Sequence, residues 1–225
     1  SSLSIILFLP ILYFSLSNQT ERQKKFVESI KEDNKTWTTM QVIKNKKFLL
    51  YLPLTSSFSF IGTGLMFHQI FIFSQKGWTL EMLGTGFIFL GFFSILGLIF
   101  GGPLIDMLNP KKAIIFLLMP IFFGIIVLLL FENFYFLIIY MSLYGINLGI
   151  SAPFTGSLWA DLFGLESLGT VKALFHAIVV LASALSPVVF GYIIDWGFGV
   201  GMISIICLIM IIMSSLLPIL FDSHE

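Results

Sequence analysis

What the chain lacks is charge. Asp, Glu, Lys and Arg make up 11% of its 225 residues, whereas apolar residues make up 57% and the mean hydropathy is +1.00. So few polar residues could not cover the core of a soluble domain of this length. Cysteine is scarcer still. Cys207 stands alone inside an apolar run, which excludes a disulfide framework and a thiolate metal site and leaves it as a small packing residue. Charged residues are also missing from the middle of every apolar run. The chain therefore offers no obvious acidic proton carrier, and no fixed cation, at the depth where a membrane is driest.

What is present is length without polarity. Seven apolar runs stand out: Leu3–Leu16, which is short, then Phe48–Ser74, Thr79–Leu104, Ala113–Phe131, Phe134–Leu158, Thr170–Ile194 and Gly199–Phe221. A helix needs about 20 residues to cross hydrocarbon. Inside lipid each backbone N–H and C=O must be satisfied within its own segment, so these runs are expected to be helices, and no β-barrel alternation is seen. The fold class that follows is an all-α polytopic membrane protein.

The 12 basic residues are unevenly placed. Arg22, Lys24, Lys25, Lys31, Lys35, Lys44, Lys46 and Lys47 lie in one linker, Lys111 and Lys112 two spans later, and Lys172 two spans after that; only Lys76 falls on the other side. Basic residues collect on the cytoplasmic side. The linker and the C-terminus are therefore expected in the cytoplasm, in a cytoplasmic (inner) membrane. The first run lacks a basic n-region and a cleavage site, so it does not read as a signal peptide; it is expected to be the tail of a longer protein. The division that results is 1–17, 18–47 and 48–225.

The linker is polar, and Phe26, Val27 and Ile30 would give a short segment an apolar face for the membrane surface; a solvated loop fits equally. The outer connections near Lys76–Trp78, Glu132–Asn133 and Asp195–Phe198 are tiny, so the helices they join are antiparallel neighbours. Pro53, Pro120, Pro153, Pro187 and Pro218 lie within spans, where each removes a backbone hydrogen bond.

Two kinds of stripe mark the Phe134–Leu158 run. Ser142, Gly145, Gly149, Ala152 and Gly156 form a small-residue seam that lets another helix approach closely. Tyr140, Tyr144, Asn147, Ser151 and Thr155 form a polar-capable face that lipid would penalise. Thr55, Ser59, Thr63 and Gln69, with His68 beside them, mark the Phe48–Ser74 run, and Lys172, His176 and Ser183 share a face of the Thr170–Ile194 run. Inward polar faces on several helices point to a cavity. The candidate substrate contacts are His68, Gln69, Tyr144, Asn147 and His176. Each also fits an interhelical hydrogen bond.

Between the second and third of the six later spans the chain reads Gly101-Gly102-Pro103-Leu104-Ile105-Asp106-Met107-Leu108-Asn109-Pro110-Lys111-Lys112. This resembles the cytoplasmic signature of the major facilitator superfamily, in which Gly-x-x-x-Asp precedes a tight turn and basic residues. Gly102, Asp106, Lys111 and Lys112 match it. Met107 replaces the usual Arg, and Asn109 replaces a turn Gly, whose geometry Asn tolerates. Trp159–Gly164, Ser186-Pro187 and Gly191–Asp195 are similar to segments of bacterial members, and Phe67-His68-Gln69 with Lys76-Gly77-Trp78 has a flavour of the monocarboxylate and oxalate/formate branch.

The resemblance implies the C-terminal six-helix bundle of a twelve-helix carrier, built from two inverted three-helix repeats and preceded by the last helix of the N-terminal bundle. It implies secondary active transport of a small solute, a small organic acid by the branch resemblance, with a coupling proton as one option. Gly102, Asp106, Lys111 and Lys112 become gating residues. The cavity is expected along the first, second, fourth and fifth of the six spans. The partners implied are the lipid bilayer and the N-terminal bundle of the same protein, which would act as a monomer; no nucleic acid, metal or cofactor is implied.

Other readings have less to stand on. A seven-helix receptor fits the count, but the last span has no lysine for a Schiff base and the outer loops are small. An intramembrane enzyme would need His-Glu-x-x-His, paired midplane carboxylates or a Cys–His pair. A non-transporting sensor with a carrier fold stays open, because fold does not set function. Histidine titrates near neutral pH, so His68→Ala or His176→Ala is expected to alter the pH dependence of transport. An unchanged profile in both would remove histidine as the proton carrier.

Overall fold

The computed structural model describes residues 36–222, and among these only helices and their connections form. The expected run Leu3–Leu16 and most of the 18–47 linker lie outside the described residues. A short helix α1 (Thr39–Ile43) precedes α2 (Lys46–Phe67) and α3 (Gln69–Gln75). Then come α4 (Leu80–Leu108), α5 (Pro110–Ala113), a 3-10 turn (Ile114–Phe116), α6 (Met119–Leu130), α7 (Phe134–Phe163), α8 (Leu168–Asp195) and α9 (Val200–Phe221). Six helical stretches are long and apolar enough to cross a membrane: α2, α4, the stretch Pro110–Leu130, α7, α8 and α9. They match the six runs read from hydropathy.

Two runs read as single helices are interrupted. At His68 the dihedrals leave the helical region, yet the ladder continues: the His68 N–H reaches Gly64 O at 3.1 Å and the Ile72 N–H reaches His68 O at 3.0 Å. The third span breaks at Leu117–Leu118. Pro120 has no N–H and its ring crowds the carbonyl four residues back; the Ile121 N–H turns away to Asn147 Oδ1 at 3.2 Å. Hydropathy cannot see the break at Leu117–Leu118, which lies in uniformly apolar sequence, and averages over the His68-Gln69 pair at the other. Asn109 takes the turn after α4 with φ +72°, the one non-glycine residue with positive φ among those described. Gly102 and Asp106 of the signature therefore sit on the last helical turns of α4, with Lys111 and Lys112 on α5 beyond the turn.

The pairing of spans is symmetrical. The second packs most extensively on the fourth, as the fifth does on the first; the third packs on the fourth as the sixth does on the first; and the third meets the sixth. Exchanging the first three spans with the last three maps this pattern onto itself, as two inverted three-helix repeats require. The paired seams use different chemistry. Between α4 and α7 the backbones touch: a Cβ at Gly97 would lie 2.6 Å from Ile146 O, and Cβ atoms at Gly145 and Gly149 would run into Leu90 O and Ser94 O. Between α2 and α8 the seam is polar, as described below.

Both ends of the bundle are tied. At one end Phe48, Trp159 and Phe175 form an aromatic chain with centroid spacings of 5.1 and 5.5 Å, and Tyr51 Oη donates to Asp222 Oδ2 at 2.7 Å. At the other, Trp78 Nε1 donates to Glu132 O at 2.5 Å and Gln75 Oε1 accepts from the Val200 N–H at 3.0 Å. Gly149→Val is expected to destabilise the bundle by about 1–3 kcal/mol, because overpacking must move a backbone. Gly84→Ala, where a Cβ meets nothing within 4 Å, should leave the melting temperature in detergent unchanged. Equal melting of both variants would contradict the seam.

Candidate functional site

The α2–α8 seam carries the polar groups that sequence patterning singled out. Thr63 Oγ1 and Ser183 Oγ lie 3.0 Å apart, Ser59 Oγ donates to Val179 O at 3.4 Å, and Ser186 Oγ donates to Phe60 O. At the top of this ladder His68 Nε2 meets Pro187 O at 2.9 Å, with the His68 ring parallel to Phe190 at 6.4 Å. Four side-chain hydrogen bonds thus hold two spans together. In hydrocarbon each hydroxyl left unpaired would cost free energy, so the ladder fixes the register of the two helices.

The α7 stripe is satisfied differently. Ser151 Oγ donates to Asn147 O at 2.6 Å and Thr155 Oγ1 to Ser151 O at 2.7 Å, so these hydroxyls bond back to their own helix. Tyr144 is buried with its ring 5.5 Å from Phe58 and 6.3 Å from Tyr140. Its hydroxyl stands where a Cβ on Gly62 would be, at 2.7 Å, so Gly62 makes the room for Tyr144. Asn147 is fully buried and spends its carbonyl on the break at Pro120; its Nδ2 has no partner.

The five candidate contacts occupy four places. His68 and Gln69 sit together at the α2–α3 joint, and Gln69 Oε1 is buried without a partner. Tyr144 lies between α7 and α2, Asn147 between α7 and α6, and His176 is exposed on α8. No hydrogen bond or ring contact among the described residues joins any two of the five. Lys172, one turn before His176, reaches towards α7, its Nζ 3.5 Å from the Cβ position of Gly156. Patterning put Lys172 on the face of His176 but missed this reach. It also missed Pro187 as the acceptor for His68; a carbonyl one turn before Gly191, opposite a histidine, was the available signal.

The gating candidates lie at the end of α4. A Cβ at Gly102 would meet nothing within 4 Å, and Asp106, one turn on, is exposed. Asp106 lies in the last turn of α4, where the helix dipole disfavours negative charge. Lys112 is exposed and Lys111 half-buried on α5.

An apolar groove of about 570 Å³ runs between α4, α6 and α7 along Gly97, Gly101, Leu104, Ile146, Ile150 and Phe154. None of the five substrate candidates lines it. The sequence model of a family described as Major Facilitator Superfamily matches residues 56–223. No curated protein and no solved structure matches the chain.

Asn147→Ala is expected to lower stability by about 1–3 kcal/mol, because the buried Ile121 N–H loses its acceptor. Thermal unfolding in detergent checks this; an unchanged midpoint would show that the break at Pro120 does not need Asn147.

Proposed function

The chain belongs to the major facilitator superfamily, and from that premise we propose that it forms the C-terminal half of a secondary active carrier that moves a small solute by alternating access. The observation that carries this reading is the family match over residues 56–223, which takes in every span after the first whole. The symmetrical pairing of the spans agrees with it. The family match does not favour a seven-helix receptor.

The proposed substrate wall runs along α2, α7 and α8. His176, exposed on α8, and Lys172, which reaches from α8 towards α7, would draw a small organic anion. Tyr144 and Gln69 would contribute hydrogen bonds, the second through an amide oxygen that has no protein partner. His68 and Asn147, whose bonds to Pro187 O and to the Ile121 N–H secure two helix breaks, act as positioning residues beside the substrate. Asp106 is the gating acid. Its place in the last turn of α4 costs about 0.3–1 kcal/mol until a positive partner meets it, so a conformation that supplies one is favoured and one that withdraws it is not. Lys111 and Lys112 hold that end at the inner face of the membrane.

The whole protein carrying this chain, reconstituted in liposomes, is expected to accumulate a radiolabelled short-chain carboxylate when a proton gradient is imposed, and to lose the accumulation with a protonophore. His176→Ala should weaken apparent affinity about tenfold, the loss of one charged hydrogen bond of about 1.5 kcal/mol, at an unchanged membrane level. Asp106→Asn should slow exchange. A ligand that binds and shifts the melting temperature but never crosses would sink the carrier reading in favour of a sensor.

A further inference from the structure

The turn between α1 and α2 concentrates cationic side chains that transport does not use. Lys44, Lys46 and Lys47 line one hollow of about 590 Å³, with Trp37 and Met40 on its wall. The hollow has a fixed frame. The Thr38 N–H donates to Gln41 Oε1 at 2.9 Å at the start of α1, and Asn45 Oδ1 accepts from the Lys47 and Phe48 N–H groups at 2.9 and 3.3 Å at the start of α2. These bonds are end caps that set the entry angle of each helix. The Trp37 N–H donates to Ser167 Oγ at 2.7 Å, and the Trp37 ring meets Phe163 edge-on at 5.4 Å. Val42 is fully buried. The lysines are thus pinned against the connection between α7 and α8.

Exposed apolar side chains flank the lysines in sequence, and one of them, Met40, lines the hollow. Met40, Ile43 and Leu49 are 60%, 41% and 51% exposed, beside the exposed Lys44 and Lys46. Lysines on one fixed turn repel each other, and an anion with several acceptor oxygens relieves that repulsion. Ammonium groups next to exposed apolar side chains suit the headgroup layer of a membrane, where stems and apolar residues face hydrocarbon and charges face water. A soluble phosphate ester would satisfy the lysines but leave these apolar side chains in water.

We propose that this hollow binds the phosphate of an anionic phospholipid headgroup, with Met40, Ile43 and Leu49 against its acyl chains. The bound lipid would hold the end of the 18–47 linker to the membrane surface. This inference rests on the chain crossing a membrane and not on what it carries.

The test places the 225-residue chain in nanodiscs of phosphatidylcholine alone, or of an equal mixture of phosphatidylcholine and phosphatidylglycerol, and counts retained lipids by native mass spectrometry. Phosphatidylglycerol should be retained in preference. Lys44→Gln should cut that preference about fivefold, and Lys44→Gln with Lys46→Gln about twenty-five-fold. Lys44→Arg with Lys46→Arg should keep it, and Lys111→Gln with Lys112→Gln, which removes equal charge elsewhere, should not change it. Undiminished retention in the Lys44→Gln, Lys46→Gln variant, or an equal loss in the Lys111→Gln, Lys112→Gln variant, would overturn the site. Binding of free glycerol 3-phosphate by the detergent-solubilised chain with the same dependence on Lys44 and Lys46 would make the ligand a soluble ester and overturn the lipid. A chain that does not enter nanodiscs would overturn this site together with the membrane reading, whereas phosphatidylglycerol retention by the chain in nanodiscs, with no solute moved by the whole protein in liposomes, would fault only the carrier.

Discussion

A backbone N–H or C=O in hydrocarbon has no water to turn to, and the bundle is arranged around that constraint. At the break in the third span a side chain from a neighbouring helix completes the ladder. Pro120 turns the Ile121 N–H out of the third span, and Asn147 receives it. On the fifth span the carbonyl of Pro187 meets His68 Nε2 at 2.9 Å, beside the joint between α2 and α3. The hydroxyls follow the same rule: those at the α2–α8 seam bond across it, and those on α7 bond back to their own helix. Polar residues in the spans are therefore first of all helix repairs. The proposed role in recognising solute would be superimposed on that one.

The repeat symmetry shows how one topology can be held by two kinds of contact. The α4–α7 and α2–α8 pairs occupy equivalent places, yet the first is held by backbone contact over glycine and the second by a ladder of hydroxyls and an imidazole. The two halves of the repeat thus have matched geometry held by different contacts, and the hydrogen-bonded seam is the one on α8, the helix that carries His176 and Lys172.

Much of the fold could be read in advance because bilayer thickness converts apolar length into a helix. Six spans, their short outer connections and the close approach at Gly145 and Gly149 all followed from spacing. The turn at Asn109 followed from the tolerance of asparagine for positive φ. The site was less legible. Tyr144, Asn147, Ser151 and Thr155 recur along α7, but recurrence cannot say whether a polar group faces a cavity or mends a neighbouring helix. That choice depends on where Pro120 lies relative to Asn147 across an interface. The hollow at Lys44–Lys47 was visible only as a topological charge cluster, because the contacts that hold its Trp37 wall in place come from residues more than a hundred positions away, at Phe163 and Ser167.

The exposed side of α4 has one further property. Gly84, Gly91 and Gly102, where an added Cβ would touch nothing, fall two and five turns apart at about 3.6 residues per turn, on one line down the helix. Between them stand Ile88, Ile95 and Leu98, all exposed. Glycines alternating with large exposed side chains make notches and ridges along this face of α4, a relief into which the side chains of another helix can interdigitate.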